Sequence, residues 1–277
     1  MKNPFSHHDD KLTIPLGKVE GMIHDKLAKR EKLHFTLVDP DPKKVDIEEF
    51  KERVRKMEEW GCDAIMIGGS TSNDQVFLDE VVKCVKDNSK MPTILFPGGM
   101  SGISRYADSI FFMSLMNSKD PFWICNIHVK AAPLLAKLGI EVMPMCYLIV
   151  EPGMKVGEVG KAEVLKKGEN DRAAGYALAA QMFGFRLVYL EAGSGAHTAV
   201  PVDMVKAAKS ALKNTTSSGD NAGVHDTPLI VGGGIRTPEA AVERLEAGAD
   251  IIVTGTIIEE KFENLEKIIR AVKNYGK

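Results

Sequence analysis

The sequence has only four cysteines in 277 residues, Cys62, Cys84, Cys125 and Cys146, and no two of them form a C-x-x-C pair. Such spacing builds neither a zinc knuckle nor a disulfide framework, so buried free thiols in a reducing compartment are expected. No run of about 18 uninterrupted apolar residues occurs, which excludes an obvious transmembrane helix. The opening residues, MKNPFSHHDDKLTIPLG, carry no apolar segment of the secretory-signal type, and the cytoplasm is the expected location. A surplus of one charge is also missing. With 36 Lys and Arg against 38 Asp and Glu, the formal net charge is -2, and the basic footprint of a nucleic-acid binder is absent. The histidines include the adjacent His7 and His8 and the isolated His128, and none stands at metal-ligand spacing. They are read as structural or surface residues. Finally, no G-x-G-x-x-G turn follows an early strand, which argues against a doubly wound dinucleotide fold.

What is present is a rhythm. Eight short apolar runs recur along the chain: HFTLVD (34–39), AIMIGG (64–69), TILFPG (93–98), SIFFMS (109–114), VMPMCYLIV (142–150), RLVYLEA (186–192), PLIVGGG (228–234) and DIIVTG (250–255). Their near-continuous apolar character is what parallel strands buried on both faces require. Helical patterns follow over 47–60, 75–86, 121–138, 170–183, 202–212, 238–247 and 260–275. The alternation predicts a (β/α)8 TIM barrel, a fold that reaches this length as one domain, here 1–277. Residues 1–32 are an N-terminal extension and helix, in which Val19, Met22, Ile23 and Leu27 recur at helical spacing and can plug or flank the barrel. The third helix is the irregular place. GGMSGISRYA leaves about ten residues between strands three and four, fewer than the dozen or so of an ordinary crossover. The polar, glycine-bearing 151–168 segment is expected to be a mobile loop on the active face. NTTSSGDNAGVHD (214–226) reads as a surface insertion on the opposite face.

The chemistry gathers at strand ends. LIVGGGIRTPEAA places Gly232, Gly233 and Gly234 after a buried strand and before a helix opened by Thr237 and Pro238, so backbone amides can approach an anion closely. VTGT adds Gly255 and Thr256 at the end of the next strand, and the two loops together match the phosphate site of such barrels in position and order. Arg236 is either a phosphate cation or a surface arginine paired with Glu239 or Glu243. Strand six ends in YLEAGSGA, where alternation puts Tyr189 and Glu191 on one side and Gly193, Ser194, Gly195 and Ala196 follow. Glu191 can accept a polyol hydroxyl or act as a base, and its structural alternative is an ion pair inside the barrel. Strand one ends at Asp39, a suitable oxygen ligand for Mg²⁺, whereas Asp41 reads as turn chemistry. Ser70, after Gly68 and Gly69 of strand two, is a second contact to a metal-bound diphosphate or simply part of the next helix's cap. Phe96, Met100, Ile103, Phe112, Met116, Phe122 and Trp123 make an apolar, methionine-bearing rim that suits a flexible hydrocarbon, with about half of them belonging to the core instead.

The motifs HFTLVDPD, IMIGGSTS, ILFPGGMSGIS, YLEAGSGA, LIVGGGIRTPE and VTGT together resemble the geranylgeranylglyceryl phosphate synthases, in the larger archaeal-type branch, from Leu33 to Ile258. The resemblance implies a prenyltransferase of phospholipid biosynthesis. It implies geranylgeranyl diphosphate as donor, sn-glycerol 1-phosphate as acceptor, Mg²⁺ at Asp39 and Ser70, and a homo-oligomer that can be a hexamer. It implies acceptor contacts at Tyr189, Leu190, Glu191, Ala192, Gly193, Ser194, Gly195, Gly232, Gly233, Gly234, Gly255 and Thr256. Tyr189 and Glu191 are the catalytic candidates. The similar heptaprenyl branch tends to carry a lysine two residues before the strand-one aspartate. Leu37 stands there in this chain, so the phosphate finds its cation elsewhere or relies on amides. A phosphosugar isomerase or lyase of the same barrel type would share the phosphate loops but would need neither Mg²⁺ nor an apolar groove.

Overall fold

Apolar strands need cover on both faces, and the chain provides it by closing eight parallel strands into one barrel in the order β1 to β8. The structure is a computed structural model that describes residues 16–68, 74–213, 227–255 and 262–277. The strands are β1 (Leu33–Val38), β2 (Ala64–Gly68), β3 (Thr93–Phe96), β4 (Ser109–Leu115), β5 (Glu141–Ile149), β6 (Leu187–Glu191), β7 (Leu229–Gly232) and β8 (Ile251–Thr254). β1 pairs with β8 as well as with β2, which closes the ring. Each of the eight expected runs is therefore a strand, displaced by at most a few residues.

Alternation divides the core in two. Inward-facing Phe35, Met66, Ile94, Phe111, Met145, Tyr189, Ile230 and Val253 fill the barrel. Outward-facing Ile65, Leu95, Ile110, Cys146, Val188, Val231 and Ile252 meet the surrounding helices.

Those helices are α2 (Ile47–Trp60), α3 (Gln75–Asn88), α4 (Ile127–Leu138), α6 (Asn170–Met182), α7 (Val202–Lys213), α8 (Pro238–Glu246) and α9 (Phe262–Asn274). Their starts follow from the sequence. Asp46 accepts from the Glu49 amide at 3.0 Å, and Thr237 caps α8 through the Ala240 amide at 3.2 Å, with Pro238 in the first turn. Of the thiols, Cys62, Cys84 and Cys146 are buried and Cys125 is exposed.

The extra helix α1 (Lys18–Ala28) plugs the barrel's amino-terminal end, where Val19 and Ile23 join the inner cluster. Its first turn is held by a distant carboxylate, since Glu141 at the start of β5 accepts from the Val19 and Glu20 amides at 2.8 Å each. Ile23 is fully buried, so Ile23→Ala is expected to lower unfolding free energy by about 2–5 kcal/mol in denaturant titrations. A loss well below 1 kcal/mol would show that α1 does not seal the barrel.

Two connections bear on the site. Between β3 and β4 no α-helix forms; the chain makes only a 3₁₀ turn at Met100–Gly102, as the short spacing predicts. The outer face near β3 and β4 is thus left without its own helix, and α4 is entered through a π turn at Phe122–Asn126. The 151–168 segment is not the loose loop expected from its composition. It contains α5 (Met154–Val159) and is sewn down by bridges Ser118 to Ala162 and Val150 to Leu165. Buried Asn117 also donates from Nδ2 to the Ile149 and Glu163 carbonyls at 2.8 and 3.1 Å. The expected insertion at 214–226 lies outside the described residues.

Candidate active site

Glu191 is the last residue of β6 and, like Tyr189 two positions earlier, points into the barrel mouth. It is only 4% exposed. Burial pushes its carboxyl up to about 7; hydrogen bonding from Tyr147 and the neighbouring Tyr189 phenol pull it back, and the negative charge of Asp39 pushes it up. The Tyr147 hydroxyl donates to Glu191 Oε2 at 2.6 Å. Tyr189 stands beside the same carboxylate; burial and the neighbouring Glu191 charge raise its phenol well above the ordinary tyrosine range, so it stays protonated against the carboxylate. The ion-pair alternative for Glu191 is not what is found: its partner is a phenol. Tyr147 escaped the sequence reading, although β5 pairs with β6 in a register that sets Tyr147 against Tyr189.

Beside this carboxylate lies a small cradle lined by Tyr189, Glu191, Ser194, Gly195, Gly233, Gly234, Arg236 and Gly255, among others. Gly232, unlike Gly233 and Gly234, does not line the cradle but stands behind it: a Cβ there would sit 2.3 Å from the Tyr189 hydroxyl, so no larger residue leaves that phenol in place. Arg236 lines the cradle and donates to the Gly195 and Ala196 carbonyls at 3.4 and 3.5 Å, so its guanidinium stands on the wall. Leu190 and Ala192 do not line the cradle with their side chains. Those side chains belong to the outer core, because they alternate with Tyr189 and Glu191, and the Ala192 amide comes close to the cradle, where a Cβ on Gly233 would meet it at 2.8 Å. Gly193 comes close to the cradle through its amide, which a Cβ on Gly233 would meet at 2.7 Å. Thr256 lies outside the described residues.

The opposite rim holds Asp39, just past β1. Gly68 makes room for it, since a Cβ there would lie 2.2 Å from Asp39 Oδ1. Ser70 lies outside the described residues. Asp39 and Gly68 line a second, larger cleft of about 470 Å³ that also takes in Lys44, Tyr147, Lys155, Glu191 and Ser194. Its far part is apolar. Of the rim residues expected to form a groove, Phe96, Met100, Ile103, Phe112 and Trp123 line it, as do Met113, Ile127 and Leu135. Met116 packs instead against the outer core, and Phe122 meets Trp123 edge-to-face with Lys130 over its ring.

The groove lies between the helix-free β3–β4 connection and α4, which supplies its far wall. His128 belongs to its wall and not to the surface: Nε2 lies 2.7 Å from the Met113 carbonyl and the ring meets Phe112 edge-on. His34 is structural, fully buried with Nε2 2.9 Å from Thr254 Oγ1, and burial drives its pKa down to about 3.

Glycine-walled cradle and apolar cleft meet at Leu37, Glu191 and Ser194, which line both. A (β/α)8 barrel with a small polar seat joined through one near-neutral carboxylate to a long apolar one defines an enzyme that brings a compact ligand and a hydrocarbon ligand together. The pattern of the PcrB family matches residues 26–275, and the chain belongs to that family. It is 50% identical over 263 residues to the geranylgeranylglyceryl phosphate synthase of Pyrococcus horikoshii, covering 94% of this chain and 97% of that one. With the enzyme of the same name from Thermococcus kodakarensis the identity is 51% over 266 residues, 94% of this chain and 99% of the other. The solved structure of (S)-3-O-geranylgeranylglyceryl phosphate synthase from Thermoplasma acidophilum, in complex with its substrate sn-glycerol-1-phosphate, superposes with a TM-score of 0.82. The two share 42% identity, over 94% of this chain and 99% of that one.

Proposed function

We propose that this chain is a prenyltransferase that joins the geranylgeranyl group of a C20 diphosphate to the free hydroxyl of sn-glycerol 1-phosphate, forming an ether and releasing diphosphate. The observation that carries the reading is the junction: Glu191, with its carboxyl near 7, borders both the cradle and the cleft. The names and substrate of the relatives support the same reading.

In this mechanism the cradle amides and Arg236 seat the acceptor phosphate, and Tyr189 and Glu191 take its hydroxyls. The apolar cleft takes the hydrocarbon of the donor and keeps water from the allylic carbon. The bond from C1 of the donor to its diphosphate oxygen breaks, the bond from C1 to the acceptor oxygen forms, and the hydroxyl proton passes to ionised Glu191. The Tyr147 and Tyr189 phenols stabilise that carboxylate until it takes the proton. Holding both partners turns a bimolecular encounter into a positioned one.

Mg²⁺ fits the donor rim. Among the described residues no three His, Cys, Asp or Glu side chains converge, so a protein-only cage is not built there. A lone carboxylate, Asp39, completed by diphosphate oxygens and water is the arrangement this cation uses. Bound at Asp39, the ion would neutralise charge on the leaving diphosphate, and Ser70, which lies outside the described residues, is the second ligand proposed for it. Among the described residues no helix is long and apolar enough to cross a membrane. Action in the cytoplasm on a substrate and product that partition to a membrane is part of the same proposal. So is self-association, supported by the exposed Val129 and Leu134 on α4.

The reading is tested by incubating the protein with sn-glycerol 1-phosphate, labelled geranylgeranyl diphosphate and Mg²⁺. An organic-extractable phospholipid product is expected. No such product with this or any longer or shorter prenyl diphosphate would reject it and return the cradle to an isomerase or lyase.

A further inference from the structure

A prenyl diphosphate brings several negative charges to a cleft that already holds Asp39 and Glu191. One divalent cation does not balance that sum, so other positive charge must face the donor head group. The cleft lining contains two lysines, Lys44 and Lys155. Lys44 follows β1, on the rim of Asp39. Lys155 lies in α5, after β5, and in a ring ordered β1 to β8 these two strands stand four apart in either direction, on opposite sides of the mouth.

Lys155 is unlike Lys161, the next lysine along its segment. Lys161 is tied to Asp120 Oδ2 at 2.8 Å, whereas Lys155 has no ion-pair or hydrogen-bond partner among the described residues. Its placement is also enforced. Met154, the first residue of α5, and Lys161, two residues beyond its last, adopt φ of 48° and 49°, a left-handed backbone that non-glycine residues rarely take. The Gly153 amide pins the start of α5 to the Ala192 carbonyl at 3.0 Å, next to the Glu191 strand end. Val156, Val159 and Gly160 of the same segment line the cleft beside Lys155, so α5 presents the lysine where the apolar wall gives way to the polar mouth.

We infer that Lys155 binds the diphosphate of the prenyl donor, opposite the Asp39 rim. It acts as a point charge on a flexible stem, contributing to donor affinity and not to acceptor affinity. The inference rests on the prenyl-transfer reading for its ligand, and its test is chosen to separate the two. Inorganic pyrophosphate with Mg²⁺ is titrated into the full-length protein by calorimetry, for wild type, Lys155→Gln and Lys155→Arg, and steady-state constants are measured for both substrates.

The expected result is pyrophosphate affinity and donor KM worse by about five- to tenfold in the glutamine variant, with acceptor KM unchanged and most of the loss recovered by arginine. The affinity of the wild type should also fall more steeply with added salt than that of the glutamine variant. Unchanged pyrophosphate affinity in Lys155→Gln, or equal weakening of donor and acceptor, would overturn the assignment. Because the titration needs no turnover, a wild-type protein that binds pyrophosphate through Lys155 but makes no ether would sink the prenyl-transfer reading and leave this inference standing.

Discussion

Glu191→Gln is expected to lower turnover by about 10²–10⁴-fold while acceptor affinity changes far less, because the amide still accepts and donates hydrogen bonds but cannot take a proton. The pH dependence is the sharper readout. Burial holds the carboxyl near 7, so wild-type turnover should rise as pH increases through that value and level off above it. The residual activity of the variant should lack this step. Equal losses of turnover and acceptor binding would reduce Glu191 to a binding residue.

Stability should move the other way. A carboxyl raised from 4.5 to about 7 favours the folded state fully below pH 4.5, and that contribution disappears as pH climbs through 7. Above pH 8 the buried charge costs on the order of 3 kcal/mol. The glutamine variant should therefore melt higher than wild type at pH 8 and nearly level with it at pH 4. A variant less stable at pH 8 would mean that the ionised carboxylate is compensated by its phenols.

Asp39→Asn is expected to reduce turnover on the order of a hundredfold or more, with partial recovery at high Mg²⁺. A second consequence follows from its neighbour. In the metal-free protein the Asp39 charge raises the Glu191 carboxyl, so Asp39→Asn should lower the pH at which Glu191 ionises when it is titrated without Mg²⁺. Full activity of this variant in the presence of a chelator would remove both the metal and Asp39 from the mechanism.

Most of the barrel was legible because buried parallel strands advertise themselves. Runs such as LIVGGG and DIIVTG are continuous, β-rich and ended by glycine, and no competing arrangement satisfies eight of them. The short β3 to β4 spacing announced the missing helix, although not the hydrocarbon groove beside it, which depends on where α4 comes to lie. Glu191 and Tyr189 were readable from alternation at a strand end.

Tyr147 was not, since it stands in the middle of an apolar run and gains its role only when β5 and β6 align. The 151–168 segment looked loose because lysines and glycines dominate it, but the ordering comes from Asn117, a residue more than thirty positions away. Arg236 could not be assigned from sequence either. Its neighbours along the helix, Glu239 and Glu243, are obvious partners, whereas the Gly195 and Ala196 carbonyls that hold it come from another strand's loop.

The central claim is that cradle and cleft seat two substrates whose reaction occurs at their junction. Single-turnover mass spectrometry with a stoichiometric count of released diphosphate tests it most directly. With sn-glycerol 1-phosphate and geranylgeranyl diphosphate together, one ether product per diphosphate released is expected, and omission of the acceptor should leave the donor intact. Diphosphate released without an ether, at the same rate with or without glycerol phosphate, would contradict a shared site.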